Sequence, residues 1–368
     1  MFKDLLVIKN IKNPDRISSI DIFRSIAIIS VVIYHFNEIL PFGYLGVDLF
    51  FVISGFLIGS LLLKEYVNSR SINYFRFILS RGFKIWPSYY VFMFLGNLVA
   101  YFFYRHSNPG YYIPLDDYAR YLFFYKNFTG TQYHWCFEHV WSLCVEEHFY
   151  IFFPLFLIFG GYVLRFFLSV KNTLILLVFS AFIGGIVIRS LLYVYFPDSI
   201  NFYESTLVRI HQLSAGVLMS LLFFYYKNTL KAHAKNLFVF FVIGLLLFVA
   251  ALFYYSYNES DFYRYHFFNV IVSLCFVLMM TGIYFVDFSK WTILRVIAYY
   301  SYNWYLWHTL FFKLIYHNLS NKYIGFFVYL AVSFITAVFF TVFVEEKFLG
   351  YRAVVINKLF GSRKSVNV

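Results

Sequence analysis

The stretch RSIAIISVVIYH, from Arg24 to His35, is an apolar run that begins with an arginine and ends with a histidine. An α-helix advances about 1.5 Å and 100° per residue, so the two side chains lie about 16 Å apart along the axis and share one face. Arg24 alone could extend to the membrane interface, and His35 alone could be a packing histidine at a helix end. Their common face favours a polar site that uses both side chains at two depths of a membrane.

The whole chain has the composition of an integral membrane protein. Its 368 residues are 61% hydrophobic and 25% aromatic but only 13% charged, which leaves too little polar surface for a soluble protein. Apolar stretches of about 17 to 25 residues match the thickness of a bilayer. The sequence therefore predicts an all-α, polytopic membrane protein of about ten spans, at roughly 20–38, 46–66, 83–104, 142–160, 172–195, 207–226, 236–256, 267–287, 292–316 and 323–345.

Basic residues predict the orientation of these spans. An even number of spans places both termini on one side, and lysine and arginine concentrate in cytoplasmic segments. The expected organisation is a basic cytoplasmic segment 1–19, a transmembrane domain 20–346 and a basic cytoplasmic tail 347–368. This asymmetry explains most of the net charge of +12, so nucleic acid is not an expected partner. The residues that carry it in the tails and the first same-side loop are Lys3, Lys9, Lys12, Arg16, Lys64, Arg70, Arg76, Arg81, Lys84, Lys347, Arg352, Lys358, Arg363 and Lys364.

One connection on the opposite side is unusually long. It covers about 105–141 and contains the dense segment TQYHWCFEHVW. Connections longer than about 12 to 15 residues are usually functional or disordered, and the aromatic density here disfavours disorder.

Asp48 lies two residues into the second predicted span, at the same predicted level as His35. A carboxylate there could orient the imidazole, since histidine accepts and returns a proton near neutral pH. The same residue could instead cap the start of a helix. The sequence leaves both interpretations open.

Glu146 and Glu147 open the fourth predicted span, within WSLCVEEHFYIFFP. Adjacent helical residues project about 100° apart, so a given cavity receives at most one of the two carboxylates. Carboxylates inside a membrane are candidates for function, although both could lie in water at the outer interface. Candidate countercharges in later spans are Arg189, Arg209 and His211.

Arg81 and Lys84 lie about one helical turn apart in SRGFKIWPSYY. They are either an anchor at the cytoplasmic interface or a clamp for a phosphate-bearing ligand, because cations at this spacing share a helix face.

The sequence predicts no metal site. The ten histidines are scattered, and the three cysteines, Cys136, Cys144 and Cys275, lack the spacing of metal ligands.

Five segments together match the pattern of one family. They are the Arg24 and His35 pair separated by ten residues, GVDLFFVISGFLI, RGFKIWP, WSLCVEEHFY and SYNWYLWHTL. With this set, over about residues 18–346, the chain resembles the acyltransferase-3 family of integral membrane acyltransferases. Two positions depart from the family pattern, since Lys84 replaces the usual second arginine of R-x-x-R-I-x-P and His148 replaces the usual glutamine. A lysine keeps the charge but lacks the bidentate fork of arginine.

The resemblance implies transfer of an acyl group, most often acetyl, from cytoplasmic acyl-CoA (acetyl-CoA) to a carbohydrate hydroxyl at the outer side of the membrane. The chain resembles the standalone members, which carry no fused hydrolase-like domain. The implied acceptor is a cell-envelope carbohydrate or glycolipid, such as lipopolysaccharide O-antigen or exopolysaccharide, and the implied location is a bacterial inner membrane.

The resemblance also implies roles for single residues. The role of Asp48 comes instead from its predicted position beside His35. His35 is expected to act as base or as transient acyl carrier, and the sequence does not choose between these mechanisms. The expected sets are His35, Glu146 and Asp48 for catalysis, Arg24, Arg81 and Lys84 for acyl-CoA, and Trp141, Tyr305, Trp307 and His308 for the acceptor.

Two other classes of function fit parts of the pattern. A transporter or flippase for a lipid-linked glycan would also need many spans and buried charge, but the sequence shows no convincing pair of repeats. A membrane sensor or assembly partner with vestigial motifs would not need Arg24, His35 and Glu146 together. The acceptor, the acyl chain and the oligomeric state are not predicted.

Overall fold

The computed structural model describes residues 16–36, 38–106, 109–128, 134–197, 201–258, 260 and 262–361. The predicted cytoplasmic tails lie partly outside these ranges, including Lys3, Lys9 and Lys12 at one end and Arg363 and Lys364 at the other.

The described residues form helices and no strands. The α-helices are α1 (Ser18–His35), α2 (Leu45–Ser69), α3 (Tyr74–Val91), α4 (Asn97–Tyr104), α5 (Tyr118–Leu122), α6 (Trp141–Leu164), α7 (Val170–Tyr195), α8 (Thr206–Ala232), α9 (Ala234–Tyr257), α10 (Asn269–Gly282), α11 (Thr292–Asn318), α12 (Lys322–Phe340) and α13 (Glu346–Phe360). Wider π-helical turns at Phe92–Gly96, Tyr263–Phe268 and Thr341–Glu345 lead into α4, α10 and α13. Short 3₁₀ turns lie at Pro109–Tyr111, Lys126–Phe128 and Glu138–Val140.

Each of the ten predicted spans falls on one of these helical segments. Within the described ranges, seven segments are long and apolar enough to cross a membrane: α1, α2, α6 with its preceding turn, α7, α8, α9 and the continuous stretch from α12 to α13. Helix α10 is apolar but shorter, and α3 and α11 carry more polar residues. The all-α membrane fold is confirmed, whereas the count of ten and the cytoplasmic termini stay predictions.

Helices α2 and α8 cross at close range in the centre of the protein. A Cβ atom on Gly55 would overlap the carbonyl oxygen of Leu213, and one on Gly216 would overlap that of Val52. Only glycine allows this approach of two backbones, as in other membrane helix pairs. The crossing fixes α2, which carries Val47 and Asp48, against α8, which carries Arg209.

The long connection between α4 and α6 is packed against α3 and its π-helical turn. Asn97 donates from Nδ2 to the carbonyl of Ile113 (2.9 Å) and accepts from the Ile113 amide (2.7 Å). Tyr118 donates its hydroxyl proton to the carbonyl of Met93 (2.7 Å). The carboxyl end of the connection is bound to α11, where Thr309 donates to the carbonyl of Cys136 (2.7 Å) and His139 Nε2 lies 3.1 Å from the carbonyl oxygen of Leu306, and Glu138 and His139 line the cavity inside the helical bundle.

Candidate active site

Two adjoining cavities contain most of the residues that the sequence predicts for the site. The first, here the Arg24 cavity, has a volume of about 160 Å³. Its walls are Arg24, Val47, Phe50, Phe51, Ile53, Ser54, Leu57, Ile58, Arg81, Lys84, Ile85, Ser142, Leu143, Glu146, Tyr150, Ser301, Tyr302 and Tyr305.

The second, here the His35 cavity, has a volume of about 370 Å³. Its walls are Tyr34, His35, Tyr44, Val47, Glu138, His139, Trp141, Arg189, Phe202, Tyr203, Arg209, Tyr255, Arg264, Phe268, Asn269 and Tyr305. The two ends of α1 therefore face different cavities, whereas the register of Arg24 and His35 predicts only that the two side chains share one face at two depths.

The Arg24 cavity brings together the three cations that the sequence assigns to acyl-CoA. Arg24 donates from Nη2 to the hydroxyl of Ser301 (3.2 Å), and Arg81 lies over the ring of Phe77 with its Cζ atom 5.9 Å from the ring centroid. The Nε atom of Arg81 is buried and has no hydrogen-bond partner among the described residues. Half-buried guanidinium groups around an open volume attract phosphoanions.

Among the described residues, Lys84 is the one of these three cations that forms an ion pair with a carboxylate, Glu345, which does not line the cavity. Its ammonium group pairs with Glu345 Oε1, and Glu345 Oε2 also accepts from Asn303 Nδ2 (2.9 Å). A ligand phosphate near Lys84 would therefore compete with Glu345.

Glu146 lies in the Arg24 cavity and not beside His35. Its Oε2 atom accepts from the Tyr150 hydroxyl (2.7 Å), which also lies 2.7 Å from the Ser54 hydroxyl. Glu147 points elsewhere and accepts from Trp86 Nε1 (3.1 Å). The predicted divergence of the two carboxylates is confirmed, and Glu147 is buried rather than solvated at an interface.

His35 ends α1 and lies in the wall of the larger cavity. Its Nδ1 atom is 2.9 Å from the carbonyl oxygen of Val31. A carbonyl only accepts hydrogen bonds, so in the neutral imidazole Nδ1 carries the proton and Nε2 carries the lone pair. Helix α1 thus presents a basic ring nitrogen, the form that a general base requires.

His35 belongs to a cluster of rings that includes two further histidines. The His308 ring lies edge-on to His35 (4.7 Å between centroids), and the His139 ring lies 5.1 Å from His308 and 5.1 Å from Tyr305. His308 donates from Nδ1 to the Tyr305 carbonyl (2.7 Å), while its buried Nε2 atom has no partner among the described residues. His308 is therefore behind His35 rather than in the cavity wall.

Trp141 and Tyr305 line the His35 cavity, whereas Trp307 lines neither cavity. Trp307 is buried and stacks on Phe340 with 4.2 Å between ring centroids, and it lies edge-on to Phe92. The structure places it in the packing between α11 and α12, so its predicted contact with the acceptor stays a prediction without support from its position.

Asp48 does not hold His35, and it makes no cap for α2. Its Oδ1 atom accepts from Arg209 Nη1 (2.9 Å), from Asn269 Nδ2 (2.9 Å) and from Gln212 Nε2. The interpretation of Asp48 as the group that orients the imidazole is wrong, because its carboxylate faces α8 and α10. Arg209 is the countercharge of Asp48 and not of Glu146 or Glu147.

Arg209 is held on three sides in the wall of the His35 cavity. It donates from Nε to the carbonyl of Tyr203 (2.8 Å), and its guanidinium lies 5.3 Å from the Trp141 ring and 5.0 Å from the Tyr203 ring. Arg189 extends the network through Asn269, whose Oδ1 atom accepts from Nη2 (3.2 Å). Asn269 thus links both arginines, and the charge of Arg209 is balanced by Asp48.

His148, the residue that departs from the family pattern, lies outside both cavities. Its Nδ1 atom is 2.8 Å from the Thr206 hydroxyl, beside the buried ion pair of Lys126 and Glu204 (2.7 Å). It joins α6 to the start of α8 and to the turn at Lys126–Phe128.

Sequence reasoning did not single out His139, Tyr150 or Ser142 as parts of the site. His139 lies two residues before Trp141, and Tyr150 follows Glu146 by one helical turn, so both stand within recognised segments. The sequence of each segment does not determine which of its faces points into the protein. Across the described ranges, no group of three or more histidine, cysteine or carboxylate side chains could hold a metal ion.

Comparison with known proteins shows that the chain is similar to acyltransferases. A family model described as "Acyltransferase domain" matches residues 17–346. The peptidoglycan O-acetyltransferase OatA of Listeria monocytogenes is 32% identical over 214 residues, which are 54% of this chain and 33% of that protein. A protein of Bacillus subtilis strain 168, provisionally named peptidoglycan O-acetyltransferase YrhL, is 31% identical over 214 residues (54% of this chain, 32% of that protein).

A third relative, a provisionally named O-acetyltransferase of Staphylococcus aureus strain COL, is 34% identical over 160 residues, or 39% of this chain and 25% of that protein. The matched part of this chain thus covers a quarter to a third of the length of these relatives. No solved structure matches the chain.

Proposed function

We propose, since the chain belongs to the acyltransferase domain family, that it transfers an acyl group, most readily acetyl, from acyl-CoA to a hydroxyl of a cell-envelope carbohydrate. One observation carries this function. A cavity with three cationic side chains adjoins a second cavity whose wall contains a histidine with a basic Nε2 atom. The first suits a phosphate-bearing donor and the second suits an acceptor that must lose a proton.

The donor side is argued from charge. Acyl-CoA is a polyanion, and Arg24, Arg81 and Lys84 surround a single volume whose other walls are mainly apolar. Arg81 has a buried Nε atom without a partner among the described residues, so a ligand phosphate would satisfy it. Ser301 and Tyr302 add hydroxyl groups for the pantetheine arm.

The chemical step is a transfer from sulfur to oxygen. His35 Nε2 takes the proton of the acceptor hydroxyl, the oxygen attacks the thioester carbon, the C–S bond breaks and the C–O bond forms. The proton then passes from His35 to the thiolate of CoA, so that the base is restored. In the alternative route, Nε2 itself attacks the thioester carbon, the C–S bond breaks and the CoA thiolate leaves. The acceptor hydroxyl then attacks the acyl-histidine, the bond from the acyl carbon to Nε2 breaks, and the hydroxyl proton passes to the thiolate.

The acceptor class follows from the relatives and from the cavity walls. Two of the relatives are named for peptidoglycan, which favours that polymer over the O-antigen or exopolysaccharide that the sequence alone suggests. Tyr34, Trp141 and Tyr203 offer flat faces, and the polar groups between them can bind hydroxyls. We place the enzyme in the cytoplasmic membrane, with the Arg24 cavity towards the cytoplasm, as the positive charge near α1 and α3 favours.

The test is release of free CoA by the purified protein in nanodiscs, with acetyl-CoA and peptidoglycan fragments. His35→Ala is the variant, and acetyl-CoA binding is measured in parallel. Release that disappears in the variant while binding persists supports the function and the role of His35. If folded wild type neither releases CoA nor binds acetyl-CoA, the proposed function is contradicted. A transporter of lipid-linked glycan would then be the better description. Replacing peptidoglycan by O-antigen in the same assay separates the two acceptor classes.

A further inference from the structure

Two side chains separate the Arg24 cavity from the His35 cavity. Within the described part of the chain, Val47 of α2 and Tyr305 of α11 are the residues that line both. Each is 6% exposed, so what remains exposed of them faces the cavities rather than the outside of the protein. A group that crosses directly from one cavity to the other would therefore pass these two side chains.

Tyr305 is fixed by bonds at its hydroxyl. It donates to the carbonyl of His139 (2.9 Å) and lies 2.6 Å from the hydroxyl of Ser142. Its ring packs edge-on to His139 (5.1 Å) and to Phe50 (6.3 Å). These contacts hold the phenol ring against the start of α6 and against α2, with little freedom to swing aside.

Val47 is fixed through its neighbours in the chain. Asp48 is bound to side chains of α8 and α10, and a Cβ atom on Gly46 would overlap the carbonyl oxygen of Ala27 in α1. The backbone at Val47 is therefore clamped on both sides. Its two methyl groups cannot withdraw without moving α2.

We propose that Val47 and Tyr305 form the aperture through which the acyl group reaches His35, and that the side chain at position 47 determines which acyl groups are transferred. This step rests on the function proposed above. The donor class it selects is acyl-CoA with a short, unbranched acyl group. A branched chain must bring two carbon substituents past Val47 at the same level, whereas acetyl brings a single methyl group.

The covalent chemistry is the same for every donor. The C–S bond of the thioester breaks, a C–O bond to the acceptor forms, and the hydroxyl proton reaches the CoA sulfur through His35. Only the fit of the acyl group between Val47 and Tyr305 differs. Selection should therefore appear as a ratio of transfer rates between donors, without loss of donor binding.

The test compares acetyl-CoA with isobutyryl-CoA in the CoA-release assay, for wild type, Val47→Ala, Val47→Phe and Val52→Ala. Val52 is a matched control, because it is a fully buried valine of the same helix that lines neither cavity. Removing one or two methylene equivalents from an apolar contact changes discrimination by about tenfold or more. Val47→Ala is expected to raise the isobutyryl to acetyl rate ratio by about that factor. Val47→Phe is expected to stop transfer while acetyl-CoA still binds, and Val52→Ala is expected to keep the wild-type ratio.

The outcomes separate this aperture from the proposed function. If wild type transfers acetyl but Val47→Ala keeps the wild-type ratio, the aperture is refuted and the function stands. Transfer of acetyl by Val47→Phe at the wild-type rate would also refute the aperture. If wild type transfers no acyl group to any acceptor, the proposed function fails and the aperture fails with it.

Discussion

Replacing Asp48 by alanine is expected to lower the free energy of unfolding by about 3–5 kcal/mol, because it leaves the Arg209 guanidinium buried without its carboxylate. Arg209 is 1% exposed and Asp48 is 1% exposed, so water compensates only poorly for the lost partner. The amides of Gln212 and Asn269 lose the same acceptor. Neutral hydrogen bonds between membrane helices contribute only about 0.6 kcal/mol each, so the unpaired charge is the larger part of the loss.

Two further variants divide this loss into its parts. Asp48→Asn keeps an oxygen acceptor and removes the charge, so its stability should lie between those of wild type and Asp48→Ala. The double variant Asp48→Leu with Arg209→Met replaces the ion pair by apolar side chains. It should recover most of the loss, because a buried ion pair gives little net stability over a well-packed apolar pair.

The assay is reversible unfolding in mixed detergent micelles, with CoA release measured on the same preparations. Wild-type stability of Asp48→Ala would refute the ion-pair reasoning, and so would a double variant less stable than Asp48→Ala. Asp48→Asn should keep most of its kcat, because Asp48 contacts Arg209, Asn269 and Gln212 and not His35. A fully stable Asp48→Asn that is as inactive as His35→Ala would instead mean that Asp48 acts on the imidazole.

Three other outcomes are expected. Gly185→Ala should destabilise the protein by about 1–3 kcal/mol, since the new Cβ atom would lie 2.9 Å from the backbone nitrogen of His211. The adjacent Gly184→Ala is the control and should not destabilise it, because its Cβ atom would meet nothing within 4 Å. Equal melting temperatures of the two variants would contradict this. Lys84→Ala should weaken acetyl-CoA binding and also destabilise the protein, because Glu345 loses its partner. The double variant with Glu345→Gln should regain stability but not acetyl-CoA binding. Calorimetry of unfolding and of acetyl-CoA binding on both variants checks this. EDTA should leave the rate of CoA release unchanged, because the proposed transfer uses the His35 imidazole as its base; a rate that falls and returns with added zinc would contradict it.

The sequence predicted contacts along one helix better than contacts between helices. The spacing of Arg24 and His35 places them at two depths on one face of α1, because helical geometry alone fixes that relation. The divergence of Glu146 and Glu147 follows from the same geometry. Each of these predictions needs only one regular helix and no knowledge of its neighbours.

Partners distant in the sequence could not be predicted. Asp48 meets Arg209 across 161 positions, and Lys84 meets Glu345 across 261. The choice of partner depends on how α2 crosses α8 and how α13 packs on α3, and no local pattern encodes these crossings. For the same reason the sequence placed Asp48 beside His35: both lie at one predicted depth, and depth does not determine which way a side chain points.

The most direct test of the transfer between two sides of a membrane uses sealed vesicles that contain the reconstituted protein. Peptidoglycan fragments are enclosed in the lumen, and acetyl-CoA is added only outside. Acetyl esters on the enclosed fragments, formed by wild type and absent with His35→Ala, are the predicted result. Esters that form only when donor and acceptor share one side of the membrane would contradict the assignment of the Arg24 cavity to the donor and the His35 cavity to the acceptor.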